Sequence, residues 1–323
     1  MKTSLIGAPA PASQRRGIDE VLPPALPGQR IGFDGLNCYV AGKGAPLLLL
    51  HSVNAAASAA EMRPLFEHYR ATRTVFALDL PGFGFSDRSD RAYTPRLMTD
   101  ALHAVSRQIR RRCGEAPIDA LALSLGCEFL ARAASERPAN WGRLALVSPT
   151  GFKGTHPRQG APGSTHAVPG LHALLSLPLW AGVLYRGLTL PAVMRYFLQR
   201  SWGSTAIDEV LWAYDVQLAR QPGARHAPLA FLSGGLFSAD IFGVYESLTQ
   251  PVWASHGVRG DFTDYRALAL LRGRPNWHFS VFKTGALPYF ERPAEFCAAF
   301  GAFLGPNAGR RPVRARVGSR VAA

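Results

Sequence analysis

The sequence predicts an α/β fold in which a mostly parallel, eight-stranded sheet is covered by helices on both faces. Aliphatic runs alternate with stretches of helical period along most of the 323 residues, and that order of elements is typical of such folds. The runs are continuous, as in "LLLL" at 47–50, and continuous runs indicate strands buried on both faces. The hydrophobic share of 47% is enough for one large core or two modest ones.

The elements are predicted in the following order. Two short strands within residues 29–41 are joined at Asp34-Gly35, a dipeptide that indicates a tight hairpin turn. Buried strands are predicted at 47–52, 74–80, 118–124, 143–149, 250–257 and 276–285. Helices are predicted at 56–70, 95–113, 126–137 and 293–304.

The regular alternation stops after residue 150 and resumes near residue 241. In between, a Gly/Pro-rich loop leads into apolar helical segments with many aromatic residues, which indicates an inserted helical subdomain. We therefore predict a lead segment at 1–28, a core formed by 29–150 and 241–304, a helical insert at 151–240, and a basic flexible tail at 305–323.

The chain is strongly basic, with a formal charge of +14. The charge is concentrated at two places: the Gly/Pro/Ala-rich tail after residue 305 and the run "RRR" at 110–112, which ends a predicted helix. A solvated tail and the favourable position of cations at a helix C-terminus account for both. Because no recognition motif accompanies the charge, we expect no nucleic-acid partner.

Cysteine usage and hydropathy narrow the class of protein further. The four cysteines show no CxxC pair and no metal-ligand spacing, so the sequence implies no disulfide, no metal and no cofactor. The apolar segment near the N-terminus is shorter than a secretory signal requires, and no run is long enough for a transmembrane segment. We therefore expect a cytoplasmic protein, and the sequence leaves its oligomeric state open.

One turn between a strand and a helix has the pattern of a catalytic serine. The predicted strand at 118–124 leads into "ALSLGCEF", in which Ser124 lies in the order small-x-Ser-x-Gly with Ala122 in the first small position. A sharp turn of this kind lifts the serine hydroxyl above the sheet edge and directs a helix N-terminus at the space in front of it. The alternative is an ordinary strand-to-helix turn.

Two further stretches extend this pattern. A polar loop "HSVN" follows the first buried strand, and "DLPGFGFSDR" at 79–88 follows the second. Together with Ser124, these stretches resemble the α/β-hydrolase family, specifically a lidded serine hydrolase of the esterase or lipase type, over about residues 29–304. The resemblance implies that Ser124 is the nucleophile and that the N–H groups of Val53 and Leu125 form the oxyanion hole. It also implies that "PGFGF" is a turn and not a phosphate loop.

The resemblance places the acid and the base in the last two loops. Asp261 is the expected acid and Asp264 the second choice, both after the strand at 250–257. The base is expected directly after the glycine of the last loop, where the family pattern is Gly-His-x-Pro-His-x-Glu-x-Pro. This chain has "GALPYFERP" at 285–293, so Ala286 occupies the position of the catalytic histidine and Tyr289 that of the second one.

Two other histidines are candidates for a substitute base. His51 and His256 both end predicted strands at the edge where Ser124 lies, and the alternative for each is a structural histidine that orients a loop. His278 lies at the opposite end of its strand, about 25 Å away at 3.3 Å per residue. The histidines of the insert have no spacing that distinguishes them.

Two functions remain open from the sequence, and a third, a membrane-surface protein that uses the apolar insert and the basic tail together, is weaker because the two are not adjacent in sequence. The first is a serine hydrolase that acts on an apolar ester or a related acyl substrate through Ser124 and Asp261, with a non-standard or missing base. The second is a catalytically silent protein of the same fold that binds a small apolar ligand or a protein partner.

Overall fold

The computed structural model describes residues 22–157 and 159–305. The basic tail and most of the lead segment therefore lie outside the described residues. One eight-stranded sheet runs through the molecule. Its strands are β1 (Gln29–Phe33), β2 (Leu36–Ala41), β3 (Pro46–Leu50), β4 (Thr74–Asp79), β5 (Ile118–Leu123), β6 (Trp141–Val147), β7 (Val252–Gly257) and β8 (Trp277–Phe282).

The strand order in the sheet is β1-β2-β4-β3-β5-β6-β7-β8. The pairs β1/β2 and β2/β4 are antiparallel and all the others are parallel, so the predicted eight-stranded, mostly parallel sheet is confirmed. The hairpin between β1 and β2 turns at Asp34 and Gly35, with φ of 49° and 74°. Both residues have positive φ, as this kind of two-residue turn requires.

Helices cover both faces of the sheet. They are α1 (Arg63–Tyr69), α2 (Pro95–Cys113), α3 (Gly126–Glu136), α4 (Leu171–Leu175), α5 (Ala181–Leu188), α6 (Pro191–Trp202), α7 (Glu209–Leu218), α8 (His226–Leu232), α9 (Ile241–Ser247), α10 (Pro288–Glu291) and α11 (Pro293–Leu304). A short 3₁₀ helix, Ala59–Met62, leads into α1. None of the described helices is both long enough and apolar enough to cross a membrane.

The apolar side chains form a core on each side of the sheet. Successive residues of a strand point to opposite faces, so Leu48 and Leu50 of β3 pack with α2 and α3, whereas Leu47 and Leu49 pack with α1 and α11. This two-sided burial explains why β3 has a continuous apolar run instead of an alternating one.

Helices α4 to α9 lie between β6 and β7 and include the segment predicted as an insert. Two of them contact the loops at the carboxyl edge of the sheet. The Tyr185 hydroxyl of α5 donates to the carbonyl of Ala55 at 2.8 Å, and Arg63 pairs with Asp208 at the start of α7 at 2.8 Å. The last helix, α9, packs on α3. The predicted domain boundaries at 150 and 240 stay a prediction.

The Gly-rich stretch after β4 is a structural turn. The buried Asp79 carboxylate accepts hydrogen bonds from Asn37 Nδ2 at 2.8 Å, from the N–H of Ala59 at 2.8 Å, and from the N–H of Phe85 at 3.0 Å. Gly84 lies so close to this carboxylate that a Cβ atom there would overlap it. Position 84 therefore requires glycine, because the Asp79 carboxylate leaves no room for a side chain there.

Candidate active site

Ser124 occupies a strained turn between β5 and α3. Its φ is 53°, a left-handed conformation that non-glycine residues rarely adopt, and its N–H donates to Val147 O at 2.8 Å. The residue is half-buried, and its hydroxyl forms no hydrogen bond with any described residue. Non-glycine residues with this backbone strain cluster at functional sites, where the rest of the fold maintains them.

The glycine of the motif allows α3 to approach the end of β3. A Cβ atom at Gly126 would lie 2.5 Å from the carbonyl oxygen of His51, closer than real Cβ contacts. A side chain at 126 would therefore push the first turn of α3 away from the loop that follows β3. The close approach brings the N-terminus of α3 beside residues 52 and 53.

Two backbone N–H groups at this junction are unused. No described residue accepts a hydrogen bond from the N–H of Val53 or from that of Leu125, although both residues are buried. Buried N–H groups are usually paired, and an unpaired one at a helix N-terminus has a favourable interaction with a negatively charged oxygen. These are the two groups that the sequence analysis expects in an oxyanion hole, and that role stays a prediction.

Glu61 fixes the shape of the loop after β3. Its carboxylate accepts the N–H of Ser52 at 2.7 Å, the hydroxyl of Ser52 at 2.8 Å and Asn54 Nδ2 at 2.8 Å. Because Ser52 N–H is used in this way, Val53 supplies the next free N–H of the loop. Burial raises the pKa of Glu61 to about 7, partly opposed by these hydrogen bonds.

A second buried carboxyl lies near Glu61. Asp215 of α7 is buried, and its Oδ1 atom has no hydrogen-bond partner among the described residues. Burial and the neighbouring Glu61 raise the pKa of Asp215 well above its ordinary value. The sequence analysis missed both acids, because nothing in a single sequence distinguishes a buried helical acid from a solvated one.

His51 is held by the backbone at both ring nitrogens. The N–H of Leu80 donates to Nε2 at 3.0 Å, and Nδ1 lies 2.5 Å from the carbonyl of Ser52. This pairing fixes the tautomer with the proton on Nδ1. Burial lowers the pKa of His51, so the ring stays neutral. Neither nitrogen is available to another partner, which is the geometry of a loop-orienting histidine.

His256 differs from His51 because one nitrogen is unused. Nδ1 lies 2.8 Å from the carbonyl of Gly257, and Nε2 has no partner among the described residues. The bond to a carbonyl places the proton on Nδ1 and leaves Nε2 as an acceptor. Burial lowers the pKa of His256, and the ring stacks on Tyr265 with centroids 4.1 Å apart. A neutral ring with a free Nε2 is the form that a general base requires.

Ser124 and Ser148 directly follow β5 and β6, and His256 is the next-to-last residue of the aligned strand β7. Leu123 of β5 pairs with Val147 of β6, which pairs with Ser255 of β7. Neighbouring strands are about 4.8 Å apart, so the Cα atoms of Ser124 and His256 are about 10 Å apart. A proton transfer between the two side chains at this separation would need a bridging group such as water.

Ser148 lies between the two and repeats the backbone strain of Ser124. Its φ is 47°, but its hydroxyl donates to the carbonyl of Ala286 at 2.8 Å. Ser148 was not among the site residues predicted from the sequence. Its only signal was a serine directly after a buried strand, which is weak evidence alone.

The two candidate acids form ion pairs with arginines. Asp261 is exposed, pairs through Oδ2 with Arg200 of α6, and donates its N–H to Arg200 O at 3.1 Å. Asp264 pairs with Arg266 at 2.8 Å, which holds the pKa of this carboxyl well below its usual range. The hydrogen bonds of the described residues connect neither acid to Ser124 or to a histidine. The catalytic role of Asp261 stays a prediction.

The loop of Ala286 packs against the insert. Ala286 is buried, and its N–H donates to Ser201 O of α6 at 2.9 Å. The preceding Gly285 lies so close to Trp202 that a Cβ atom there would overlap the Trp202 backbone. Tyr289, at the second histidine position of the family pattern, is fully buried with an unpaired hydroxyl among the described residues.

Comparison with known proteins decides the fold family. A family model described as alpha/beta hydrolase fold matches residues 45–187. The structure is similar to that of a serine hydrolase involved in carbazole degradation, with a TM-score of 0.66 and 17% identity over 85% of this chain and 97% of that one. The chain has the α/β-hydrolase fold.

Other solved structures similar to this α/β-hydrolase-fold chain are also hydrolases. One is the 2-hydroxy-6-oxo-6-phenylhexa-2,4-dienoate hydrolase from Rhodococcus sp. strain RHA1, with a TM-score of 0.65 and 18% identity over 86% of this chain and 98% of that one. Another is an epoxide hydrolase, with a TM-score of 0.64 and 20% identity over the same shares. No curated protein sequence matches the chain.

Two open cavities of this α/β-hydrolase fold lie away from Ser124. They have volumes of about 470 and 360 Å³ and are lined by residues at the ends of α2 and α3 and at the starts of β6 and β7. Substrates of open α/β sheets bind at the carboxyl ends of the strands, which is the opposite edge. Neither cavity contains a predicted site residue, so we place the candidate site at the Ser124 edge on its chemistry.

Proposed function

We propose that the protein is a serine hydrolase that cleaves an apolar ester or a related acyl substrate through Ser124. The observation that carries the proposal is the conformation of Ser124, whose φ of 53° projects an unpaired hydroxyl from the turn between β5 and α3. The fold maintains this strain although Gly would avoid it, and the unused N–H groups of Val53 and Leu125 lie at the same junction.

In the proposed reaction Ser124 Oγ attacks the acyl carbon, and the oxygen that becomes negative is bound by the N–H groups of Val53 and Leu125. The proton of Ser124 passes to Nε2 of His256 through one water and then to the departing alcohol. A water molecule then attacks the acyl-serine, and its proton passes through Nε2 of His256 to Ser124 Oγ. This step releases the acid and restores the hydroxyl. Asp261 is the proposed acid for this site once the insert releases it from Arg200.

Helices α5 to α7 are the proposed lid. They contact the site loops through Tyr185, Arg63–Asp208 and the bond from Ala286 N–H to Ser201 O. A substrate reaches Ser124 only when some of these contacts open. The similar hydrolases named above, which act in carbazole degradation or on a phenylhexadienoate, support a substrate with an apolar body.

A second candidate function rests on the absence of a histidine at position 286. With Ala286 there, with His51 held by the backbone and with Asp261 paired to Arg200, no base contacts Ser124 directly among the described residues. The same pocket would then bind a small apolar ligand without turnover. Removing a triad member from such enzymes still leaves about a thousandfold catalysis over water, so a low rate does not distinguish the two candidates.

Labelling with a fluorophosphonate probe distinguishes them, because the probe reacts only with an activated serine. We expect the wild type to be labelled and Ser124→Ala to remain unlabelled. Ser148→Ala is the matched control, since Ser148 has the same left-handed φ one strand away. Labelling that persists in Ser124→Ala, or a wild type that is not labelled while it still binds an apolar fluorophore, would reject the hydrolase in favour of the binding protein.

A further inference from the structure

The outer surface of the insert exposes large apolar side chains. Leu179 is 84% exposed, the highest value among the large hydrophobic residues of the described chain. Its exposed companions in the insert and in the adjoining loop after β7 include Val183, Leu190, Tyr196, Phe197 and Phe262. We call these six residues the outer apolar surface. Exposed apolar residues are normal when scattered, whereas a group on one subdomain indicates a contact with something outside the chain.

The positions of these residues on the helices show that the exposure is systematic. Helix α5 buries Ala181 and Tyr185, which lie on one face, and turns Val183 outward. Helix α6 buries Met194 and Trp202 and exposes the adjacent Tyr196 and Phe197, whose rings are 5.4 Å apart. Both helices therefore have apolar residues on both sides, whereas a surface helix with no partner carries polar residues on its outer side.

The members of the surface are connected in space. Helices α5 and α6 pack against each other. The carbonyl of Arg200, near the end of α6, accepts the N–H of Asp261, and the Arg200 side chain pairs with the Asp261 carboxylate. These contacts join the three elements that carry the exposed residues: α5, α6 and the loop of Phe262.

Three arginines and two acids lie beside this surface, and both acids are paired with arginines. Residues 137–207 contain no aspartate or glutamate. Arg195 and Arg200 are paired with Glu209 and Asp261, and the exposed Arg186 of α5 has no partner among the described residues. An anionic surface that approaches the insert along α5 therefore meets a free cation and no acid of this segment.

We propose that the outer apolar surface docks onto the surface of a phospholipid bilayer that contains anionic lipids. Apolar and aromatic side chains beside an unpaired cation, here Arg186, are the composition of segments that lie in the headgroup region of a membrane. Trp180, which is 38% exposed, and Tyr196 are residue types favoured at that depth. A second copy of the chain is a poorer occupant, because residues 137–207 of that copy offer no acid to pair with Arg186.

The proposal places the lid at the membrane, but it does not depend on catalysis. Docking requires only the folded chain, and it holds for the hydrolase and for the binding protein alike. If it is correct, the contacts of α5 and α6 with the site loops lie between Ser124 and the lipid phase.

Co-sedimentation of the full chain with vesicles tests the docking. We expect the wild type to bind vesicles of phosphatidylcholine and phosphatidylglycerol in equal parts, and to bind pure phosphatidylcholine more weakly. The double variant Leu179→Glu with Val183→Glu adds two negative charges to the surface and should lose more than about tenfold in affinity for the mixed vesicles.

The matched control changes the same residue types elsewhere. Leu270→Glu with Val281→Glu adds the same two charges at positions that are 55% and 57% exposed, outside the outer apolar surface. We expect the control to keep vesicle affinity within about twofold. Circular dichroism checks that both variants fold.

Three results would overturn the proposal. The first is a wild type that stays in the supernatant with both vesicles, and the second is an equal loss in the two double variants. The third is a wild-type dimer in sedimentation velocity that Leu179→Glu with Val183→Glu dissociates without any effect on vesicles, which would assign the surface to a second copy of the chain. Equal binding to the two kinds of vesicle would overturn the requirement for anionic lipid.

Discussion

The hydroxyl of Ser148 and the carbonyl of Ala286 are joined by a hydrogen bond of 2.8 Å. This bond fixes the loop after β8 to the end of β6, the strand next to the one that carries Ser124. The bond therefore ties position 286, the expected position of the family's histidine, to the strand next to the one that precedes Ser124.

Replacing Ala286 by histidine should raise Ser124-dependent hydrolysis. General-base assistance is typically worth about a hundredfold to ten-thousandfold, so imperfect geometry should still give a measurable gain with a short activated ester. Because Ala286 is buried, the larger ring should also lower the free energy of unfolding by about 1–3 kcal/mol. We would measure kcat/KM for Ala286→His and for its combination with Ser124→Ala. A gain that survives the loss of Ser124, or no gain in a folded variant, contradicts the proposed site.

If His256 is the base, its protonation should determine how kcat/KM changes at acidic pH. Burial lowers the pKa of His256, so the ring is neutral near pH 7 and becomes protonated only below its ordinary range. A protonated ring cannot accept the serine proton, and kcat/KM should therefore fall as the pH falls through a midpoint below 6.5. His256→Asn should lower kcat/KM by about a hundredfold or more and remove this dependence.

His51 supplies the contrast for that measurement. His51→Asn removes the acceptor of Leu80 N–H and the partner of the Ser52 carbonyl, so it should lower the free energy of unfolding by about 1–3 kcal/mol. The folded His51→Asn protein should keep the acid limb of the pH profile. If His256→Asn keeps that limb and His51→Asn loses it, the two roles are reversed.

The sheet was predictable from the sequence because its signals are local. The Asp34-Gly35 turn, the aliphatic run of β3 and the turn at Ser124 each depend on neighbouring residues, and the structure confirms all three. Helix α2 begins and ends at the predicted residues, since Thr94 caps its start, accepting the N–H of Leu97, and Pro95 favours the first turn.

The electrostatics of the site could not be predicted in this way. Glu61 lies beneath the loop after β3, and Asp215 reaches it from α7, more than 150 positions later in the chain. The pairing of Asp261 with Arg200 joins the loop after β7 to the insert. Such contacts depend on how distant segments pack, and one sequence without its fold does not contain that information.

Two buried carboxyls should make the protein less stable as the pH rises. Burial raises the pKa of Glu61 and of Glu128 to about 7, so the folded state binds a proton at each that the unfolded chain has already lost. Stability from each group is therefore fully present below about pH 4.5 and declines until about pH 7, by about 3 kcal/mol.

Urea unfolding between pH 4.5 and pH 7.5 measures this decline. Glu61→Gln and Glu128→Gln should each reduce it by about 3 kcal/mol, because each removes one buried carboxyl with a raised pKa. Glu295→Gln, at an exposed position on α11, should leave it unchanged. A pH dependence that is the same in the wild type and in both variants would show that neither carboxyl binds an extra proton in the folded protein.

The strain at Ser124 predicts that a glycine there stabilises the fold and abolishes its chemistry. A non-glycine residue with φ near 53° costs about 1–3 kcal/mol, of which glycine recovers most and loses about 0.5–1 kcal/mol through the entropy of the unfolded chain. Ser124→Gly should therefore raise the free energy of unfolding by about 1 kcal/mol, while Ser124→Ala, which keeps the strain, should not. Ser148→Gly relieves a similar strain but also loses the hydrogen bond to Ala286, so its net effect should be near zero. If urea unfolding finds Ser124→Gly no more stable than Ser124→Ala, the turn is not strained, and the observation that carries the hydrolase proposal is lost.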